Sequence, residues 1–414
     1  MSLLNKLFHK KNHSSLLNEN FTFDPLNDEF INNPYPILNI LQNEKPLHRS
    51  KTGAWILTRY DDVKSALSDE RLGNAPSNYA VVNKRNKDKY LCAEVANNIL
   101  PFIDSPKHIH SREIISKSYF YSLNDEAQDL ELERLAEQQL IQLKDKKNFD
   151  VIHDYGTPFS TAVMCRFMGF PDEDKLTLTQ WSEYFLILFS IIPDEKTLKE
   201  INKNLEFFRS YVKTKLFSNE HRGWVANLIQ YNNQQSQPLS EDEIADNLML
   251  IFADGVENVD RMLGTVCKCL FDMPEYVEQL KQDSSLVEPF IDECLRYESP
   301  VQFIGRIAKQ DIVIHNELIK AQSAVLLMLG AANRDTNQFD EPEKFIPTRD
   351  NRSMLSFGRG PHTCLGRSLV RKQLSVALQT LLNTYTSIAP INNELIWEKR
   401  IAHRWLTNYE VKVQ

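Results

Sequence analysis

The chain has 414 residues, of which 42% are hydrophobic, 25% charged and 10% aromatic, a globular composition able to bury a large core. Its net charge of −8 argues against general nucleic-acid binding. No run of roughly 18 apolar residues is present to span a bilayer.

No internal repeat and no linker rich in Gly, Ser or Pro divides the chain, so residues 20–414 are expected to form one domain behind a flexible segment, 1–19. That segment, Met1 to Lys11, is short, basic and weakly amphipathic, and reads as a frayed terminus. Ala54 to Thr58 predicts a strand and Tyr60 to Ser68 a short helix. Residues 74–103 lack periodicity and predict a long loop with a helical turn or two. Most of 110–229 is helical in pattern, and Trp181 to Ile192 is dense in large apolar side chains. Core packing is the default reading of that stretch; a cavity wall is the functional one. Gln230 to Pro238 is a polar connection. Ser240-Glu-Asp-Glu243 is a capping box that opens a helix ending before Pro274. Its roughly 33 residues would span about 50 Å. Its apolar middle, Leu248 to Ala253, is expected to cross the core, with an interruption at Asp254-Gly255-Val256-Glu257-Asn258. A glycine inside a buried helix costs ~1 kcal/mol, a defect that makes sense if a ligand must lie against the helix.

Further on, Glu293 and Arg296 sit three apart, so a helix would place the carboxylate and guanidinium on one face. Alone, such a pair is more often an exposed contact worth under about 1 kcal/mol. Short strands follow near Phe303 to Ala308, Ile312 to Ile319 and Ala324 to Leu329. The class is mainly α with a minor β region. Six cysteines, at 92, 165, 267, 269, 294 and 364, show neither a disulfide pattern nor zinc spacing and fit a reducing compartment.

The most informative segment is Phe357-Gly-Arg-Gly360-Pro-His362-Thr-Cys364-Leu-Gly366. Leu365, Leu369, Leu374, Leu378 and Leu381 recur at helical spacing after it, so Cys364 stands at a helix N-terminus, where an anion is favoured. Gly360 and Gly366 would let the backbone turn sharply and approach a flat ring. Phe357 would shield the sulfur. A lone cysteine is usually a small hydrophobe. The spacing F-x-x-G-x-x-x-C-x-G, with a nearby cation, instead resembles the haem-binding signature of the cytochrome P-450 family, in its soluble bacterial form. The resemblance covers roughly residues 20–414.

The resemblance implies a P-450 fold holding haem b between the long central helix and the cysteine-loop helix, with Cys364 as the iron ligand. A thiolate ligand favours O–O cleavage. It implies propionate contacts from His108, Arg112, Arg306 and His362, and a structural lock of Glu293, Arg296 and Arg349. The family usually shows (Ala/Gly)-Gly-x-(Asp/Glu)-Thr at 254–258, whose acid and threonine deliver protons. Glu257 matches the acid. Asn258 replaces the threonine and is expected to orient Glu257 and ordered water. Asp254 replaces a small residue; it would bind a cationic or hydrogen-bonding substrate, cap local backbone, or, as a glutamate does in some branches, link to haem. Leu250, Ala253, Val256, Val301, Phe303 and Leu406 would wall the substrate pocket, with Trp405 narrowing it. Residues 74–100 would cover the entrance.

The implied activity is a cytoplasmic monooxygenase acting on a small organic molecule, free or tethered to a carrier protein, in natural-product biosynthesis. Electrons would come from a separate ferredoxin or flavodoxin with its reductase. The docking face would be basic: Arg359, Arg367, Arg371 and Lys372, with Lys107 and Lys117 nearby. The departures at 254 and 258 leave two alternatives: a peroxide-dependent or rearranging haem-thiolate enzyme, and a haem protein without monooxygenase turnover.

Overall fold

The computed structural model of the chain describes residues 23–78, 80–123, 127–190, 193–217, 222–391 and 394–414. The N-terminal segment and the end of the apolar stretch at 191–192 lie outside the described residues. Among the described residues nine longer helices carry the architecture: α1 (Lys107–Leu123), α2 (Ala127–Leu143), α3 (Thr157–Met168), α4 (Lys175–Ser190), α5 (Glu195–Phe217), α6 (Gly223–Asn233), α7 (Glu241–Asp272), α8 (Val287–Tyr297) and α9 (Arg367–Thr384).

Helix α7 organises the core. Ser240 caps it as the sequence predicts: its Oγ accepts from the Glu243 N–H at 3.3 Å, and Glu243 Oε2 accepts from the Ser240 N–H at 3.0 Å. The helix is continuous across 254–258, so the expected interruption does not occur. Gly255 is needed for helix packing and not for a ligand. A Cβ there would stand 2.5 Å from Met164 Sδ of α3, so the glycine lets the two helices close. Helix α7 also packs against α4, α5, α8 and α9.

The β region is small. A five-stranded sheet has the order β1 (Leu47–Arg49), β2 (Trp55–Leu57), β8 (Ala324–Leu327), β5 (Ile304–Ala308), β3 (Leu72–Gly73). Strands β2 and β8 run parallel with Trp55 opposite Val325, while β5 and β8 run antiparallel with Arg306 opposite Val325. A hairpin of β6 (Ile312–Ile314) and β7 (Glu317–Ile319) and a sheet of β4 (Asn148–Asp150), β10 (Glu410–Val413) and β9 (Ile388–Pro390) complete it. The region at 74–103 holds a short helix, Leu91–Ala96, whose Cys92, Ala93, Val95 and Ala96 are buried.

A second, smaller core gathers Phe23, Phe30, Leu38, Leu41, Ile56, Phe303, Met328 and Ala331. Beside it, Arg404 binds distant parts of the chain. Its Nε donates to Glu298 Oε2 at 2.7 Å, its Nη1 to the Ile31 carbonyl at 2.8 Å, and its guanidinium lies 3.6 Å from the Trp397 ring centroid. Tyr35 Oη–H donates to the same Glu298 carboxylate at 2.9 Å. Burial alone would raise the Glu298 pKa; Arg404, Lys268 and Arg334 outweigh it and lower it to about 2.

Candidate active site

The cysteine loop is a chain of tight turns. The Gly358 N–H donates to the Leu355 carbonyl at 2.8 Å, Thr363 N–H to Gly360 at 3.1 Å, and Cys364 N–H back to Phe357 at 2.9 Å. Gly358 and Gly360 adopt φ of 66° and 76°, the left-handed region glycine favours. A Cβ on Gly360 would also stand 2.5 Å from Ser68 Oγ. Gly366 differs from expectation. Its φ is −79°, and a Cβ would meet nothing closer than Tyr119 Oη at 3.7 Å. The turn is made at Gly358 and Gly360; Gly366 is the N-cap residue of α9.

Cys364 lies two residues ahead of that cap. Its sulfur lies beside the backbone N–H groups of Gly366 and Arg367, which favour the thiolate. Burial, with Asp254 adding to it, pushes the thiol up to about 11 against those hydrogen bonds and Arg112. Yet Cys364 has exposed surface. A group both desolvated and accessible faces an internal space, not the outside. Phe357 is half-buried, with the Arg371 guanidinium 5.8 Å from its ring centroid.

The structure brings His108, Arg112, Arg306 and His362 together. His108 and His362 stack with ring centroids 3.7 Å apart. His108 is 1% exposed, and neither of its ring nitrogens has a hydrogen-bond partner among the described residues. Arg306 is buried, and its Nη1 donates to the carbonyl of its own neighbour, Gly305. Arg112 donates to the Thr363 carbonyl. Burial and then Arg112 lower the His108 pKa to about 4; burial, His108, Arg306 and Arg112 lower His362 to about 3, with Asp104 opposing both. Burial lowers Arg306 to about 10. This crowd of donors and cations has one carboxylate among it and calls for anions.

Across from the sulfur, α7 presents Asp254 and Asn258 one turn apart. The Asn258 amide donates to Asp254 Oδ1 at 3.5 Å, so Asn258 engages Asp254 and does not orient Glu257. Glu257 is 2% exposed, and neither carboxylate oxygen has a hydrogen-bond partner among the described residues. Arg400 Nη1 lies 3.6 Å from its Oε2. Burial raises the Glu257 pKa well above the usual range; Arg400 and Arg261 oppose this and Asp260 and Glu183 add to it. Arg400 is itself held by Glu398 at 2.5 Å. Sequence reasoning missed Arg400 and Glu398, since nothing local to either marks a partner so far back in the chain.

Glu293 and Arg296 are fully buried and bidentate, with Nε to Oε2 at 2.8 Å and Nη2 to Oε1 at 2.7 Å. Arg349 Nε reaches Glu293 Oε1 at 3.4 Å, and the Asn351 amide donates to Oε2 at 3.1 Å. Arg296 also donates to the carbonyls of Asn333 and Pro342. The exposed-pair reading therefore fails: this cluster ties α8 to the segment that leads into the cysteine loop.

Leu250, Ala253, Val256, Trp405 and Leu406 are buried in the main core, with Val301 packed against it. Phe303 packs into the smaller core instead, since successive residues of an extended segment alternate faces and Arg306 takes the other. The basic surface is narrower than expected. Arg371 pairs with Asp292 at 2.7 Å, Lys107 with Glu243 at 2.9 Å and Lys117 with Glu113 at 2.6 Å. Arg359, Arg367 and Lys372 are exposed. An open cleft of about 1730 Å³ lies elsewhere, lined by parts of α2, α3 and α6, and shares with α9 only Leu369.

A flat cofactor with two carboxylates and a thiophilic metal fits these residues. The unsatisfied His108 ring and its cationic neighbours suit the carboxylates, and the inward-facing Cys364 suits the metal. Fold and donor set together define a haem-thiolate protein. The family model for cytochrome P450 matches residues 175–395, and the chain belongs to that family of haem-dependent monooxygenases. It is similar to the biotin biosynthesis cytochrome P450 of Bacillus subtilis, 29% identical over 368 residues, 87% of this chain and 91% of the relative. It is 27% identical over 416 residues to the polyketide biosynthesis cytochrome P450 PksS of the same organism, covering 95% and 99%. Among solved structures, P450BioI in complex with a hexadec-9Z-enoic acid ligated acyl carrier protein matches with a TM-score of 0.84 at 27% identity, over 94% of this chain and 100% of that one. CalO2 matches in fold, with a TM-score of 0.87 at 23% identity, over 95% and 99%. Among the described residues no helix is long and apolar enough to cross a membrane.

Proposed function

We propose that the protein hydroxylates a small organic molecule in natural-product biosynthesis, in the cytoplasm, with electrons from a separate ferredoxin or flavodoxin and its reductase. One C–H bond, dioxygen, two electrons and two protons yield one C–O–H group and one water. Haem supplies the dioxygen chemistry when bound. The observation that carries the reading is the gathering of His108, Arg112, Arg306 and His362 beside the cysteine loop, where Cys364 is desolvated yet accessible.

Each residue then has a task. Cys364 ligates iron, and His108, Arg112, Arg306 and His362 hold the two carboxylates. Phe357 and Gly366 flank the sulfur. Glu293, Arg296 and Arg349 brace the loop. Leu250, Ala253, Val256, Val301 and Leu406 confine the substrate. Glu257 holds the proton to be delivered, and its burial, which raises its pKa well above the usual carboxylate range against the opposing charge of Arg400, supports this. The exposed Arg359, Arg367 and Lys372 support docking of an acidic electron carrier. The P450BioI complex with an acyl carrier protein supports a tethered substrate as a variant of the same reading.

The test is a screen of small molecules against the haem-loaded protein for a shift of the ferric Soret band. A molecule that shifts it should gain one oxygen atom when reductant and dioxygen are supplied. Oxidation with peroxide, and none with reductant and dioxygen, would overturn the reading in favour of a peroxide-dependent enzyme.

A further inference from the structure

Helix α7 sets a carboxyl group in the middle of the molecule with almost nothing to bind. Asp254 is half-buried and lies near enough to Cys364 for its charge to raise the pKa of that thiol. Its one hydrogen bond among the described residues is the long contact, 3.5 Å, from the Asn258 amide. Asn258 Oδ1 is buried and has no hydrogen-bond partner among the described residues. Burial is the one cause acting on Asp254, and it raises the pKa to about 7. Among the described residues no cation offsets it, in contrast to Glu257 with Arg400 and Asp260 with Arg261.

A desolvated carboxyl without a donor is costly, so it is kept only where a donor arrives. Two internal explanations fail. Backbone capping needs a free N–H, and α7 runs unbroken through 254. An ion pair needs a cation, and none acts there. What remains are acceptor oxygens, one from Asp254 and one from Asn258, a helical turn apart on α7. Both positions carry apolar or hydroxyl side chains in the family pattern that the sequence resembles, so the pair is a feature of this chain.

We infer that Asp254 and Asn258 form a polar anchor that selects a substrate with an O–H or N–H donor close to the carbon that is oxidised. The inference rests on the monooxygenase reading and names its substrate class. Plain hydrocarbon segments, such as the middle of a fatty acyl chain, leave the anchor unpaired and are disfavoured. A molecule with a secondary amide or a free hydroxyl near the reacting carbon brings one donor hydrogen to this pair of acceptors.

The experiment uses matched probes on the haem-loaded protein: medium-chain N-methyl alkanamides and alkanols, each beside its N,N-dimethyl or methyl-ether counterpart. Binding is read from the ferric Soret shift, so it does not depend on turnover. Donor-bearing probes should bind about 10- to 100-fold tighter than the capped ones, the range expected for a hydrogen bond to a buried carboxyl. Asp254→Ala should abolish that preference, and Asn258→Ala should reduce it. Equal affinities for donor and capped probes in the unmodified protein overturn the inference, whatever the variants do. So does a preference that survives Asp254→Ala, or the absence of a shift from any donor-bearing probe. Haem retained by the chain in acidified organic solvent also overturns it, because Asp254 would then be an ester. The monooxygenase reading fails separately, when a bound probe gains no oxygen with reductant and dioxygen.

Discussion

Glu257 and Arg400 oppose each other across a buried gap of 3.6 Å, and Asp260 lies one turn further along the same helix. Glu257→Gln keeps the shape and loses the proton. Product formed per electron should fall about 10²-fold, with hydrogen peroxide released instead, while the reduced carbonyl spectrum stays unchanged; oxygen uptake against product checks it. Asp260, which accepts from Thr157 Oγ1 at 2.7 Å, has its pKa raised by burial from 3.8 to about 6. A raised carboxyl stabilises the fold fully below the unfolded value, and that contribution is lost as pH rises. Between those two values the folded protein should lose stability by up to about 1.4 kcal/mol per pH unit from this group. Asp260→Asn should flatten that fall, as thermal unfolding midpoints at each pH would show. At this scale the sequence was informative where chemistry is local. Cys364 is legible because its whole loop lies within ten residues of chain. Arg400 is not, because the fold alone carries it to Glu257. Asn258 was misread for a simpler reason: positions four apart on a helix share a face, which points its amide at Asp254.

Helices were legible from capping and periodicity, and α7 begins at its predicted box. The supposed break in α7 was not a break, because one glycine and several polar residues do not overcome the packing around them. Gly255 marks where α3 comes close. Gly255→Ala should cost ~1–3 kcal/mol by overpacking against Met164. Shortening Met164 to alanine in the same chain should remove most of that penalty, which urea unfolding of the four combinations would measure. The Glu293 cluster is a second junction between elements. Removing one member leaves charge uncompensated in the interior, so Glu293→Ala should cost ~3–5 kcal/mol and weaken haem retention. Burial of that pair was invisible in the sequence, where spacing fixes a face and not its surroundings.

For the whole molecule, the order of helices and strands follows the pattern that the sequence resembles, whereas the surface does not follow simple charge counting. Half of the basic residues expected at the docking face are engaged by neighbouring carboxylates. Arg359, Arg367 and Lys372 are exposed and should suffice for encounter. Reversing all three to glutamate should slow reduction by an acidic ferredoxin at least about 10-fold at low salt and leave probe affinity unchanged. Stopped-flow reduction at two ionic strengths separates the effects.

Arg404 has a bearing on biosynthesis. Synthesis proceeds from the N-terminus, so Tyr35 and Glu298 leave the ribosome long before the guanidinium that neutralises them. Through that interval Glu298 lacks its principal counter-charge, and burying it would be costly. The seam between the chain's early and late segments can close only after translation has passed codon 404.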